Sequence, residues 1–267
     1  MEKYHRFAPV APIHILEELF YSNPKMLFGD YHLFLAHHTV EHPERFTNLA
    51  SQFHRFWYED PVTIIMDNSL VECGHSVDFN MVKEATDAVA EHAYVIPVLP
   101  DVMGSGQQTK EAVREAYDKW SAEMSGSGLM LVLQGSSWSD FVQTANYFLL
   151  DHAGKYSRIT WVGIPRKFVE AVATRKKAVK YIRMIAPWVK IHLLGFSEDM
   201  VDDFLCAKME GVRGIDSAVP VRHNAVLTPT TVTAPRDPDW MDNGILRQVH
   251  KDNIIKVRNW IKPTNAH

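Results

Sequence analysis

Eight short apolar runs recur along the chain: FAPVAP (7–12), YHLFLAHH (31–38), VTIIMDN (62–68), AYVIPVLPD (93–101), LMLVLQGS (129–136), RITWVGIP (158–165), VKIHLLGF (189–196) and VRGIDSAV (212–219). Most are continuously apolar rather than alternating, which is how strands covered on both faces of a parallel sheet read. The segments between them carry apolar residues at helical spacing. DFNMVKEATDAVAEH opens at Asp78, a capping residue type, and QQTKEAVREAYDKWSAEM follows the next strand. SDFVQTANYFLLDHAG ends at Gly154. PRKFVEAVATRKKAVKYIRMI opens with Pro165, suited to a first helical position, and SEDMVDDFLCAKMEG runs from Ser197 to Gly211. The later strands start about 23 to 35 residues apart, the length of one βα unit. This alternation predicts an α/β fold, a (β/α)8 TIM barrel over residues 1–225, with a doubly wound open sheet as the alternative. Residues 226–267 read as irregular, Thr- and Pro-rich loop followed by an amphipathic helix packed on the barrel.

Composition narrows the class. A chain of 267 residues with 46% hydrophobic and 22% charged residues has the makeup of a soluble globular protein. The net charge of −4 does not advertise a nucleic-acid binder, although a local basic patch can serve one. Two distant cysteines, Cys73 and Cys206, exclude a disulfide framework and a Cys-x-x-Cys zinc cluster, and point to a reducing, cytoplasmic setting. The N-terminus has charges within its apolar part and does not read as a signal peptide. No apolar run reaches the roughly 18 residues that a membrane helix needs.

Chemistry gathers where the strands end. In a barrel, catalytic groups sit at the C-terminal ends of strands. Strand three ends in Asp67-Asn68-Ser69, strand four in Asp101, strand five in Gln134-Gly135-Ser136, strand six near Gly163 and strand seven at Gly195, while strand eight contains Asp216. Paired carboxylates suit glycosyl chemistry: one attacks or stabilises an anomeric carbon and the other moves protons on the leaving group. A further carboxylate beside a carboxamide could read the donor and acceptor edge of a purine. Asp, Asn and Ser also cap helices and form turns for backbone reasons alone, and for a single position that alternative is equally good.

In these motifs the chain resembles the tRNA-guanine transglycosylases, which exchange a guanine base for a 7-deazaguanine. Where that family carries Asp-Ser-Gly-Gly-Phe-Gln this chain has IMDNSLVECG, and where it carries Phe-Asp-Glu-Cys this chain has VLPDVMG. LVLQGSS stands for Ile-Val-Gln-Gly-Gly, ITWVGIPRK for Gly-Leu-Ala-Val-Gly-Glu, and IHLLGFSE for Tyr-Leu-Met-Gly-Val-Gly. IDSAVPVRHNA stands for Phe-Asp-Cys-Val-Leu-Pro-Thr-Arg-Asn-Ala. Each match is unspecific; their common order and spacing over residues 7–225 is what carries the resemblance. It implies that Asp216 is the nucleophile at C1′ of the ribose and that Asp67 is a general acid/base touching the base. It implies that Asp101 reads the purine N1 and exocyclic amine, that Gln134 and Gly135 donate to the base carbonyl, and that Leu194 and Gly195 wall the pocket, with Gly163 and Trp161 from strand six beside them. Two displacements at C1′ retain configuration, with water excluded from the covalent intermediate. No cofactor and no metal are implied.

The departures shape the expected substrate. The family's tRNA-binding form carries Cys-x-Cys-x-x-Cys and a His as a zinc site, whereas RDPDWMDNGILRQVH has no cysteine. Ser69-Leu70-Val71 replaces the Gly-Gly-Phe that includes the base-stacking aromatic; Trp138, Phe196 and Trp161 are the aromatics that could substitute, and Glu72 stands where the family has Gln. A compact, zinc-free form resembles the phage branch that inserts 7-deazaguanines, such as 7-cyano-7-deazaguanine, into DNA and so evades restriction. A duplex would have to present its guanine flipped out. Arg166, Lys167, Arg175, Lys176, Lys177, Lys180 and Arg183 in one segment, with Arg222 after strand eight, could neutralise phosphates. A looser second set is Arg247, Lys251, Lys256, Arg258 and Lys262. For either set a solvated helix face is the competing reading. A homodimer or a second phage protein could supply further DNA contacts.

Two other stretches bear on chemistry. His37, His38 and His42 match no common metal spacing, and His37 or His38 reads better as lining for the barrel mouth. GSGQQ (104–108) could cradle a phosphate at a helix start or be plain loop. The alternatives to DNA base exchange are the same exchange on tRNA, a barrel N-glycoside hydrolase in which Asp216 and Asp67 act on water, and a non-catalytic nucleic-acid-binding barrel.

Overall fold

The computed structural model describes residues 6–24, 29–56, 62–120, 122–123, 128–166, 174–196, 200–231, 240 and 244–262. Strands form within all eight apolar runs: β1 (Phe7–Pro9), β2 (Tyr31–Leu35), β3 (Thr63–Asp67), β4 (Tyr94–Pro97), β5 (Leu129–Val132), β6 (Ile159–Pro165), β7 (Lys190–Leu194) and β8 (Val212–Ser217). Each is shorter than its apolar run. Every ladder is parallel. One sheet has the order β1-β8-β7-β6-β5 and the other β2-β3-β4. The two meet at both ends. The Val98–Met130 bridge, with Leu99 N–H donating to the Met130 carbonyl at 2.9 Å, joins β4 to β5, and β1 lies alongside β2. The strands therefore follow one another in cyclic order, in two hydrogen-bonded arcs.

The continuous apolar runs have a direct cause: both faces of each strand are buried. Ala8, Leu33, Leu35, Ile65, Ile96, Val98, Met130, Val132 and Trp161 pack together on the inner side. Their sequence neighbours, among them Phe34, Ile64, Met66, Val95, Leu131, Val162 and Ile215, pack outward in a second cluster with the helices. The two-residue period of a strand thus reappears as two separate apolar layers.

The helices that cover the outside start where their side chains can cap them. Asp78 accepts from Asn80 N–H ahead of the helix Phe79–Val89, and Ser137 accepts from Asp140 N–H ahead of Trp138–Asn146. One helix start and one helix end differ from the sequence expectation. Pro165 does not open a helix; it is the last residue of β6, in register with Leu194. A residue without an N–H is tolerated equally at a helix start and at a strand terminus, and here pairing with β7 decides. Arg166, next to Pro165, is helical, and a helix capped by Thr174 runs over Arg175–Ile185; residues 167–173, including Lys167, lie outside the described residues, as does Ser197. The helix Met200–Ala207 also stops before Gly211, which takes a left-handed φ of 81° in the turn into β8. The C-terminal helix Gln248–Trp260 packs on β1 and on the short helix Val219–Arg222 after β8, and contributes Ile254 and Val257 to the outer core. No helix among the described residues is long and apolar enough to cross a membrane.

Candidate active site at the strand C-termini

Asp216 enters from the inner face of β8. Its neighbour Ile215 faces the outer core, so alternation turns the carboxylate inward, where it is 7% exposed. His192 Nε2 lies 2.8 Å from Asp216 Oδ1, and the Gly195 backbone N–H donates to the same oxygen at 3.1 Å. Gly195 has a φ of 67°, a left-handed conformation that glycine adopts without the Cβ penalty, and this turn directs its N–H at the carboxylate.

Asp67 ends β3, half-buried, and accepts from the Ser69 N–H at 2.9 Å. Burial, followed by the negative charges of Glu72 and Asp216 and a smaller contribution from Asp101, holds its carboxyl well above the usual carboxylate range. That coupling places the three strand-end aspartates within one electrostatic site. Ser69 has a φ of 59°, and its hydroxyl is 2.7 Å from His37 Nδ1. A buried non-glycine residue in this conformation is the kind of strain that collects at functional sites.

Asp101, 4% exposed, is gripped at both oxygens. Asn68 Nδ2 donates to Oδ1 at 2.6 Å and Gln134 Nε2 to Oδ2 at 2.6 Å. Both amides are themselves oriented by the backbone: Asn68 Oδ1 accepts from Leu70 N–H and Gln134 Oε1 from Gly104 N–H. Burial pushes the Asp101 carboxyl up to about 6 against these opposing hydrogen bonds. Leu194 closes on Gly163: a Cβ there would meet Leu194 Cδ1 at 3.0 Å and Val132 Cγ2 at 3.1 Å. Gly135 is required by packing, since a Cβ would lie 2.8 Å from the Phe141 backbone nitrogen.

Several expected site residues stand elsewhere. Trp161 is not at the mouth: it is 1% exposed in the inner apolar layer, in register with Lys190 at the start of β7. Alternation puts it on the inner face as expected, but two residues before Gly163 and thus deeper. Phe196 belongs to the outer core with Phe7 and Phe204. Trp138 opens its helix with Lys177 Nζ 4.0 Å from the ring centroid.

Arg175 is the clearest correction among the basic residues. It is fully buried, paired with Asp203 at 2.8 Å, and donates to the Leu194 and Gly195 carbonyls. A guanidinium at a helix start can either face solvent or fold under the helix, and the exposed β7 turn carbonyls supply the acceptors that draw it under. Arg258 of the second basic set is also buried, which lowers its pKa to about 9. Arg166, Lys176 and Lys177 are exposed around the C-terminal end of β6, Arg166 donating to the Phe196 carbonyl at 3.4 Å. Arg222 ends the short helix after β8 and is partly exposed. The GSGQQ helix start is already occupied by protein, because Gly106 N–H donates to the Asp140 carboxylate at 2.9 Å. His38 meets His37 and His42 edge to face, and no cluster arranged to hold a metal occurs among the described residues.

Sequence reasoning missed His192, Tyr31 and the pairing of Asn68 with Asp101. The signal for His192 was present: in VKIHLLGF it is in phase with Leu194, so a polar ring had to face inward.

No protein-family model matches the chain, and comparison with curated proteins finds no match. Solved structures share its fold at low identity. A dihydrodipicolinate synthase family protein from Coccidioides immitis is 10% identical with a TM-score of 0.55, over 99% of this chain and 90% of that one. Haloferax volcanii malate synthase, in a ternary complex with pyruvate and acetyl-CoA, is 12% identical with a TM-score of 0.52, over 99% of this chain and 72% of that one. An Aquifex aeolicus VF5 protein is 8% identical with a TM-score of 0.51, over 97% and 93%. None of these three is described as a guanine transglycosylase; what they share with this chain is the architecture of TIM-barrel proteins.

Proposed function

We propose that this chain is a base-exchange glycosyltransferase on a closed, zinc-free (β/α)8 barrel, replacing guanine in DNA with a 7-deazaguanine. The observation that supports it best is the unequal pair Asp216 and Asp67. Asp216 Oδ1 accepts from the Gly195 N–H and faces His192 Nε2, while burial and neighbouring negative charge raise the Asp67 carboxyl well above the usual carboxylate range. A carboxyl whose proton is favoured by its surroundings, in one site with a second carboxyl held by a backbone N–H, is the arrangement that acid and nucleophile need.

In this reading Asp216 attacks C1′, and the electron pair of the breaking C1′–N bond leaves with guanine, which takes the proton held by Asp67. The 7-deazaguanine then returns a proton to Asp67 as its nitrogen displaces Asp216 from C1′. Asp101, fixed between Asn68 and Gln134, faces the purine's N–H donors. Arg166, Lys176, Lys177 and Arg222 take the backbone phosphates.

The test is to incubate the protein with labelled 7-cyano-7-deazaguanine and either duplex DNA or tRNA, then digest to nucleosides. Label in DNA, lost in Asp216→Asn, is expected. Label in tRNA alone overturns the DNA assignment, and release of guanine without incorporation replaces exchange by hydrolysis.

A further inference from the structure

Behind Asp216 a second polar chain runs through the inner layer. His192, on β7, is fully buried. Its Nε2 faces Asp216 Oδ1 at 2.8 Å, and its Nδ1 is hydrogen-bonded to the Tyr31 hydroxyl from β2, on the far side of the interior. Tyr31 is itself fully buried, stacked on Trp161 at 6.2 Å and 12°, with the Arg213 guanidinium 4.5 Å from its ring centroid. Arg213 is in turn paired with Asp30 at 2.7 Å. The ring of His192 therefore has a polar partner at each nitrogen.

The order of donors follows from counting protons. The Tyr31 hydroxyl keeps its proton, since burial raises it well above its ordinary value. A buried hydroxyl proton needs an acceptor, and leaving one unsatisfied costs about 1–3 kcal/mol. His192 Nδ1 is the acceptor in reach, so it carries no hydrogen, and the ring's proton sits on Nε2, pointing at Asp216. We infer that His192 is a positioning residue: as the neutral Nε2–H tautomer fixed by Tyr31, it holds Asp216 Oδ1 and leaves Oδ2 as the oxygen that attacks. The Gly195 N–H lands on the same Oδ1, and Arg175 anchors that turn through the Leu194 and Gly195 carbonyls, so two elements restrain one oxygen. A neutral imidazole orients the carboxylate without cancelling its charge, whereas an imidazolium would pair with it and blunt its nucleophilicity. The attacking role of Oδ2 rests on the transglycosylase reading; the tautomer and the restraint of Oδ1 do not.

Two measurements test this. Long-range proton–nitrogen NMR on the intact protein labelled with nitrogen-15 histidine reports which ring nitrogen is protonated, with His192 assigned by its loss in His192→Gln. The Nε2–H tautomer is expected at neutral pH, and Tyr31→Phe should give a mixed or doubly protonated ring. An Nδ1–H or imidazolium signal in the unaltered protein overturns the inference. The second measurement follows covalent adduct formation with guanine-containing DNA by intact mass, in variants whose thermal unfolding is checked first. His192→Gln, whose amide N–H can reach the same oxygen, should keep most of the rate, and His192→Phe should lose about 10- to 100-fold, as when an outer partner of a functional imidazole is removed. Equal loss in both variants overturns a positioning role. Absence of adduct in the unaltered protein strikes the transglycosylase reading, while the NMR result still decides the tautomer.

Discussion

Asp101 is a carboxyl that the fold stores at a cost, and replacing it with Asn exposes that cost as a pH dependence. Its pKa rises from 3.8 to about 6 in the folded protein. The folded state thus holds the proton more tightly than the unfolded chain. The associated stability is complete below the unfolded value and is lost as pH rises through about 6. At 1.36 kcal/mol per unit the whole effect is about 3 kcal/mol, of which about 2.5 kcal/mol falls between pH 4 and pH 8. Asp101→Asn removes this titration. It also sets an amide N–H2 against Asn68 or Gln134, both of whose orientations are fixed by backbone donors, so a pH-independent loss of about 1–3 kcal/mol accompanies it. Urea unfolding of both proteins at pH 4, 6 and 8 separates the two effects. The stability of the variant relative to the unaltered protein should rise by about 2.5 kcal/mol from pH 4 to pH 8, with half of the rise passed at pH ~5 and most of it complete by pH 6. A difference that stays constant across this range, or moves the other way, refutes the claim that burial outweighs the two amide hydrogen bonds.

Asp203→Ala leaves the buried Arg175 guanidinium without its carboxylate and should cost about 3–5 kcal/mol in denaturant unfolding. Gly195→Ala forces a Cβ into a left-handed turn, at a cost of about 1–2 kcal/mol, and should reduce adduct formation more than it lowers stability because the displaced N–H is the one on Asp216. Replacing Lys176 and Lys177 with Glu should weaken DNA binding uniformly across sequences and flatten its salt dependence, measured by fluorescence anisotropy from 50 to 200 mM salt; the same change at Arg175 should unfold the protein instead.

Hydrophobic periodicity sufficed to place eight strands and most of the helices between them, because burial on both faces leaves a continuous apolar run that few other structures produce. It also brought Asp67, Asp101, Gln134 and Asp216 to the C-terminal ends of their strands, and the parallel order of both sheets, joined at β4–β5 and β1–β2, presents those ends together. Three things lay beyond it. Charge alone cannot separate Arg175 from Lys176 and Lys177, which share a first helical turn; the carbonyls of the β7 turn and the carboxylate of Asp203 pull one of them inward and leave the other two in solvent. A run of apolar residues does not reveal depth, so Trp161 read as a pocket wall although it packs in the inner layer. The Tyr31–His192–Asp216 chain joins β2, β7 and β8, residues 161 and 24 positions apart; β7 and β8 are paired neighbours, but Tyr31 comes from the other sheet, and only the tertiary arrangement of the two sheets brings it to His192. The sequence by itself determined which residues could face inward; the tertiary structure decided which of those meet, because hydrogen-bond partners across a barrel are set by strand stagger and not by spacing along the chain.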